Sequence, residues 1–158
     1  MSLQLVGVNT SEEKASAEFP LLTLHVDTAG NHFRYLKNSG TVAVANYLYY
    51  YDPDTGIVVD EMVSSVAATS EVHPLAVARL AVTANYYAWW FVGPGRETFY
   101  AAGTMTAEKK VYTSATDGFI DDTTSDSAVL IPGLITYDGI VSAASGICKA
   151  SCELYVSG

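Results

Sequence analysis

The sequence predicts an all-β protein, a single-domain antiparallel sandwich or barrel with an N-terminal arm and little helix. Turn-forming clusters punctuate the chain at short intervals: Ala29-Gly30-Asn31, Asn38-Ser39-Gly40, Asp52-Pro53-Asp54-Thr55-Gly56, Gly93-Pro94-Gly95, Thr116-Asp117-Gly118 and Tyr137-Asp138-Gly139. The runs between them are rich in Val, Ile, Tyr, Phe and Trp, which suit a pleated, half-buried surface. Short strands at this spacing close into sandwiches or barrels.

Taken in order, residues 1–19 form the arm. Its LQLVGV stretch alternates like a short strand, SEEKASAEF suits a helical turn or an exposed linker, and Pro20 stops further helix. The β domain occupies 20–158, with strand-like runs at 21–27, 33–37, 41–51, 57–62, 75–82, 86–92, 97–101, 109–113, 118–121, 129–136 and 147–156. Helix is weakly supported at 141–146 and at Glu71–Arg79, where Pro74 interrupts helix-compatible residues. No exact internal repeat is visible in the sequence, and no shift of composition marks a second domain.

The chain has 158 residues, enough for one domain to bury a core without metal or disulfide support. Hydrophobic residues make up 49% and charged residues 16%, so packing is expected over disorder. Eight Lys and Arg against seventeen Asp and Glu give a formal charge of −9. Phosphate binding needs clustered cations, so this balance argues against a nucleic-acid surface, and the Lys109-Lys110 pair is too small to change that. No apolar run approaches the ~18 residues that span a bilayer. The N-terminus lacks the basic-then-apolar order of a secretion signal, and the expectation is a soluble protein made in a cytoplasm.

The most informative stretch is Arg79–Val92, RLAVTANYYAWWFV. On a strand Tyr86, Ala88, Trp90 and Val92 share one face while Tyr87, Trp89 and Phe91 share the other, so neither face is polar. Such a strand must be covered twice, by two layers of its own domain or by its domain and a neighbouring subunit. Tyr47, Tyr49, Tyr50 and Tyr51 repeat the pattern. Core plus subunit interface is the favoured reading of these aromatics, with stacking against sugars as the alternative.

Reactive groups are few, and no catalytic, cofactor-binding or metal site is assigned. His25, His32 and His73 lack HExxH spacing, although His25 and His32 could meet across a hairpin. Ser39-Gly40, Ser145-Gly146 and Ser157-Gly158 lack the strained nucleophile elbow. Gly93-Pro94-Gly95-Arg96 superficially resembles a phosphate loop, but Pro94 offers no N–H and no helix follows. Asp117, Asp121, Asp122 and Asp126 could ligate calcium or simply face water, and Asp52 and Asp54 belong to a hairpin turn. Asp60 and Glu61 follow the next strand. On one strand Cys148 and Cys152 would share a face ~13 Å apart, too far for a disulfide. They are read as buried or idle thiols, with a zinc pair or an intersubunit bridge as alternatives.

One ordered set of motifs spans roughly residues 30–156. It begins with Phe33-Arg34-Tyr35-Leu36-Lys37-Asn38-Ser39-Gly40, an aromatic-basic strand ending in a small turn. Leu75-Ala76-Val77-Ala78 then runs into Leu80-Ala81-Val82-Thr83-Ala84-Asn85-Tyr86-Tyr87-Ala88-Trp89-Trp90-Phe91-Val92-Gly93. Val111-Tyr112-Thr113-Ser114-Ala115-Thr116-Asp117-Gly118-Phe119-Ile120-Asp121-Asp122 and Ile131-Pro132-Gly133-Leu134-Ile135 follow. In this order the chain resembles the capsid decoration, or cement, proteins of tailed bacteriophages. It departs from their pattern at Ala76, where glycine is frequent, near Arg79, where a glutamine is usual, and in its C-terminal cysteine pair.

The resemblance implies a non-enzymatic protein without cofactors that binds the outside of an assembled head, commonly as a homotrimer. It would clamp neighbouring major capsid proteins against internal pressure. On that footing Tyr49, Tyr51, Tyr86, Tyr87, Trp89 and Trp90 are the expected subunit-interface residues. Leu3, Leu5, Val6 and Val8 form an arm expected to add a strand to an exposed capsid edge. The alternatives are a phage tail, baseplate or fibre component, a carbohydrate-binding β module and, last, an enzyme.

Overall fold

The computed structural model describes residues 8–62, 64–67, 72–124, 128–141 and 144–157. The fold is all-β. Its strands are β1 (Glu13–Lys14), β2 (Leu24–Val26), β3 (His32–Asn38), β4 (Leu48–Tyr51), β5 (Ile57–Glu61), β6 (Val72–Ala78) and β7 (Tyr87–Phe91). They continue with β8 (Gly95–Tyr100), β9 (Lys110–Thr113), β10 (Ile120–Asp121), β11 (Leu130–Thr136), β12 (Ser145–Ala150) and β13 (Tyr155–Ser157). One helical turn, α1 (Ser64–Ala67), lies between β5 and β6.

Strands β3 to β7 close into a barrel in the order β7-β3-β5-β4-β6, with β6 pairing back onto β7. The β4–β5 hairpin is antiparallel, so the far edge of β5 meets β3 in parallel, through Lys37↔Ile57 and Asn38↔Val58. The expected antiparallel architecture is therefore broken at this pairing. Large side chains inside the barrel stand opposite small ones, Tyr49 against Ala76, Trp90 against Ala78 and Leu36 against Ala88. The alanines leave the room that two aromatic rings need in so narrow a lumen.

The remaining five-stranded sheet has the order β10-β9-β11-β12-β8 and curls until Ala101, just past β8, bridges Ile120 of β10 in parallel. It thereby repeats the first barrel pairing for pairing. Strands β8 to β12 correspond to β3 to β7: β8 pairs with β12, β9 with β10 and β11, and β11 with β12, while the Ala101–Ile120 bridge stands where β3 pairs with β5. The equivalent corners also bridge one another, Ala43 to Val82 in the first barrel and Met105 to Ile140 in the second. Asn46, Asn85 and Glu108, each two residues before a strand, share a left-handed φ of 67°, 66° and 60°. Gly56 and Gly118, before β5 and β10, do the same at 71° and 73°. The sequence shows no exact repeat; the repeat lies in the pairing.

Several local expectations change. Part of the arm read as helical turn or linker is a strand, since Glu13 and Lys14 pair with Ala88 and Tyr87. The segment around Pro74 is strand β6, and Ser145–Gly146, read as helix, open β12. Of the long run 41–51 only Leu48–Tyr51 is strand, because 39–47 turns a corner. The run 147–156 breaks after Ala150, and β13 returns to pair with β6.

Candidate functional site

Both faces of β7 are covered by the chain itself. Trp90 lies in the first barrel with its ring edge-on to Tyr49, 5.4 Å between centroids at 81°. On the outer face Trp89 packs on Tyr35, Phe19 and His25 at 5.1, 5.2 and 5.5 Å. Phe91 lies between Phe33 and Phe99, the latter from the second barrel. One apolar cluster runs from this outer face into the second barrel through Phe99, Val111, Ile120, Leu134 and Cys148.

This placement corrects the expected subunit interface at four of its six residues. Trp90, Trp89, Tyr49 and Tyr51 expose 0, 3, 3 and 6% of their surface, so they have no area left for a neighbouring subunit. Tyr86 and Tyr87 are half-buried, and Tyr87 stacks on Tyr35 with the Lys37 ammonium 5.8 Å from its ring centre. Of the expected capsid-binding arm, Leu3, Leu5 and Val6 lie outside the described residues. Val8 is half-buried against the apolar cluster, and Glu13 fixes the arm further by accepting hydrogen bonds from the Thr83 N–H and hydroxyl.

Arg79 joins the two barrels. Its guanidinium lies 4.4 Å from the centre of the Phe33 ring, donates Nε–H to the Glu97 carboxylate on β8, and donates from Nη1 to the Thr10 hydroxyl. Glu97 is 8% exposed and also accepts the Thr98 N–H. The sequence marked Arg79 only as a departure from the decoration-protein pattern, because a partner 18 residues away is set by tertiary packing.

No protein-family model and no curated protein sequence matches this chain. The remaining candidates therefore rest on geometry alone. His25 and His32 do not meet, because the register pairs His25 with Phe33 and Val26 with His32, placing the imidazoles on opposite faces. His25 is buried against aromatic rings, and desolvation lowers its pKa. Asp121 Oδ1 accepts from the Asp122 and Thr123 N–H groups and the Thr123 hydroxyl, while Asp122 Oδ2 accepts the Thr106 N–H. Those carboxylates brace turns, and Asp126 lies outside the described residues. Among the described residues no group of three or more His, Cys, Asp or Glu is placed to hold a metal, and no helix is long and apolar enough to cross a membrane.

Both cysteines are free. Cys148 points into the second barrel, where burial pushes its thiol up to about 12, whereas half-buried Cys152 donates to the Pro132 carbonyl at 3.5 Å. Only thiolate reacts with disulfide reagents. Because Cys148 is enclosed and Cys152 is partly exposed, the native protein is expected to release one equivalent of chromophore from an aromatic disulfide, through Cys152, and two after unfolding in urea. Two equivalents from the native protein would contradict this placement.

The second barrel carries one more feature that the sequence did not disclose. Lys110 pairs with Ile135, Ile135 with Lys149 and Lys149 with Arg96, a row across four strands whose side chains are all exposed. The Arg96 guanidinium lies 3.9 Å from the centre of the Tyr137 ring. Alternation shows that each residue faces out, but the register that aligns them depends on chain folding far apart in sequence.

Proposed function

We propose that the protein decorates the outside of a bacteriophage head as a non-enzymatic clamp on the major capsid protein. The observation that carries this reading is where the quoted motifs fall. Phe33–Gly40 is most of β3 and its corner, Leu75–Gly93 runs from β6 through β7, Val111–Asp122 spans β9 and β10, and Ile131–Ile135 lies in β11. The resemblance thus follows the frame of both barrels, not one loop. Self-association as a trimer belongs to the same proposal, and its contacts must then come from Tyr86, Tyr87 or exposed residues, since the larger aromatics are enclosed. Clamping by several modest contacts at once gains from effective concentration and needs no chemistry at the interface. Stacking on sugars loses its support, because Trp89, Trp90, Tyr49 and Tyr51 form no exposed platform.

The test is fractionation of virions from the source phage. Hundreds of copies in the head fraction, with heads of a deletion strain rupturing at lower temperature, are the expected result. Recovery only with tails or baseplates would move the protein there, and absence from virions would end the reading.

A further inference from the structure

We propose that the outer face of the second barrel, centred on Lys110, Ile135, Lys149 and Arg96, docks on an acidic protein surface. The repeat of the fold shows what this face is. In the first barrel the equivalent row across β4, β6, β7 and β3 is Leu48, Val77, Phe91 and Phe33, paired in the same succession. All four are fully buried, and Phe91 meets Phe99 of the second barrel. The same face is therefore a docking face in one barrel and open in the other. Cations have replaced three of its four apolar positions.

Charge selects the occupant. Three of the eight Lys and Arg, Lys14, Arg34 and Arg79, are ion-paired. Among the described residues Lys37, Arg96, Lys109, Lys110 and Lys149 have no carboxylate within 4.0 Å, and four of these five lie in or beside the second barrel's strands. On β8, β9, β11 and β12 the sole acid is Glu97, which is buried and turned towards Arg79. Loop acids Glu108 and Asp138 lie only at the ends of these strands. In a chain of formal charge −9 this concentration is selective. Ile135, Ile147 and Tyr137 lie among the cations at 37, 41 and 43% exposure, giving the mixed apolar and charged surface of a protein interface. A depression lined by Asn31, Pro94, Gly95, Arg96, Lys149 and Ser151 adjoins the row, with both cations in its lining.

The inference deepens the reading as a head protein by naming the face and its partner chemistry, but its test uses no heads, so either can fail alone. A 16-residue peptide of Asp, Glu, Leu and Phe is titrated into isotopically labelled protein at low salt. Amide shifts confined to β8, β9, β11, β12 and Tyr137 are expected, with affinity falling as salt screens the contact. K110E/K149E, both at exposed positions, is expected to keep its melting temperature and lose about tenfold or more in affinity, while K37E binds as the parent does. Unchanged peptide binding by K110E/K149E overturns the proposal. So does tighter binding of duplex DNA than of the peptide, or loss of self-association in K110E/K149E with peptide binding intact, which would make a second copy the occupant.

Discussion

Trp90→Ala is expected to lower folding stability by about 3–5 kcal/mol. Trp90 is fully buried in the first barrel, and its neighbours are poorly placed to fill the space it leaves. Ala78 directly opposite is already minimal, and the barrel wall is a closed hydrogen-bonded ladder. The cavity therefore persists, which puts the cost at the high end for a core truncation. Trp90→Phe should cost much less, because the indole Nε1–H is buried without a hydrogen-bond partner and its removal relieves a desolvation penalty. Urea unfolding of both variants, with sedimentation to fix the oligomeric state, gives the measurement. Full stability of Trp90→Ala with an altered oligomer would return this residue to a subunit interface.

Arg79→Met is expected to cost about 3 kcal/mol by leaving the Glu97 carboxylate buried without its cation. The figure sits low in the range for such a deletion because the Arg79 side chain is 26% exposed and partly screened. The stem of Met still covers Phe33, so most of the loss belongs to the stranded charge. Glu97→Leu in the Arg79→Met background should restore most of the stability, since an apolar pair can replace a buried ion pair nearly neutrally. A thermodynamic cycle over the four proteins is expected to give a coupling of about 2 kcal/mol. Additive effects would show that the two side chains contribute separately and that the barrels are held together elsewhere.

What was legible in the sequence is what local chemistry decides. Asp52-Pro53-Asp54-Thr55-Gly56 turns as expected, with Asp52 Oδ1 accepting the Asp54 and Thr55 N–H groups and Gly56 supplying a positive φ. Alternation at 86–92 gave the two apolar faces, and the need to cover both was sound. Which molecule covers them was not legible, because it depends on a second barrel folding over Phe91 and Phe33. The repeat was hidden for a similar reason. Its barrels share four strand pairings and a fifth contact that is a single bridge in the second, but a tryptophan in one corresponds to Cys148 in the other, and Gly40-Thr41 and Gly103-Thr104 are among the few echoes in sequence. Breaks in long apolar runs, as after Ala150, follow from where the partner strand ends and leave little trace in composition.

Strands β1 and β13 lie at opposite ends of the chain, yet they are zipped onto β7 and β6, which pair with each other. A load applied to the two termini is thus borne by adjacent strands of one barrel. The strands of the second barrel lie between β7 and β13 in the chain, so under such a load they are expected to carry less of the tension than the first.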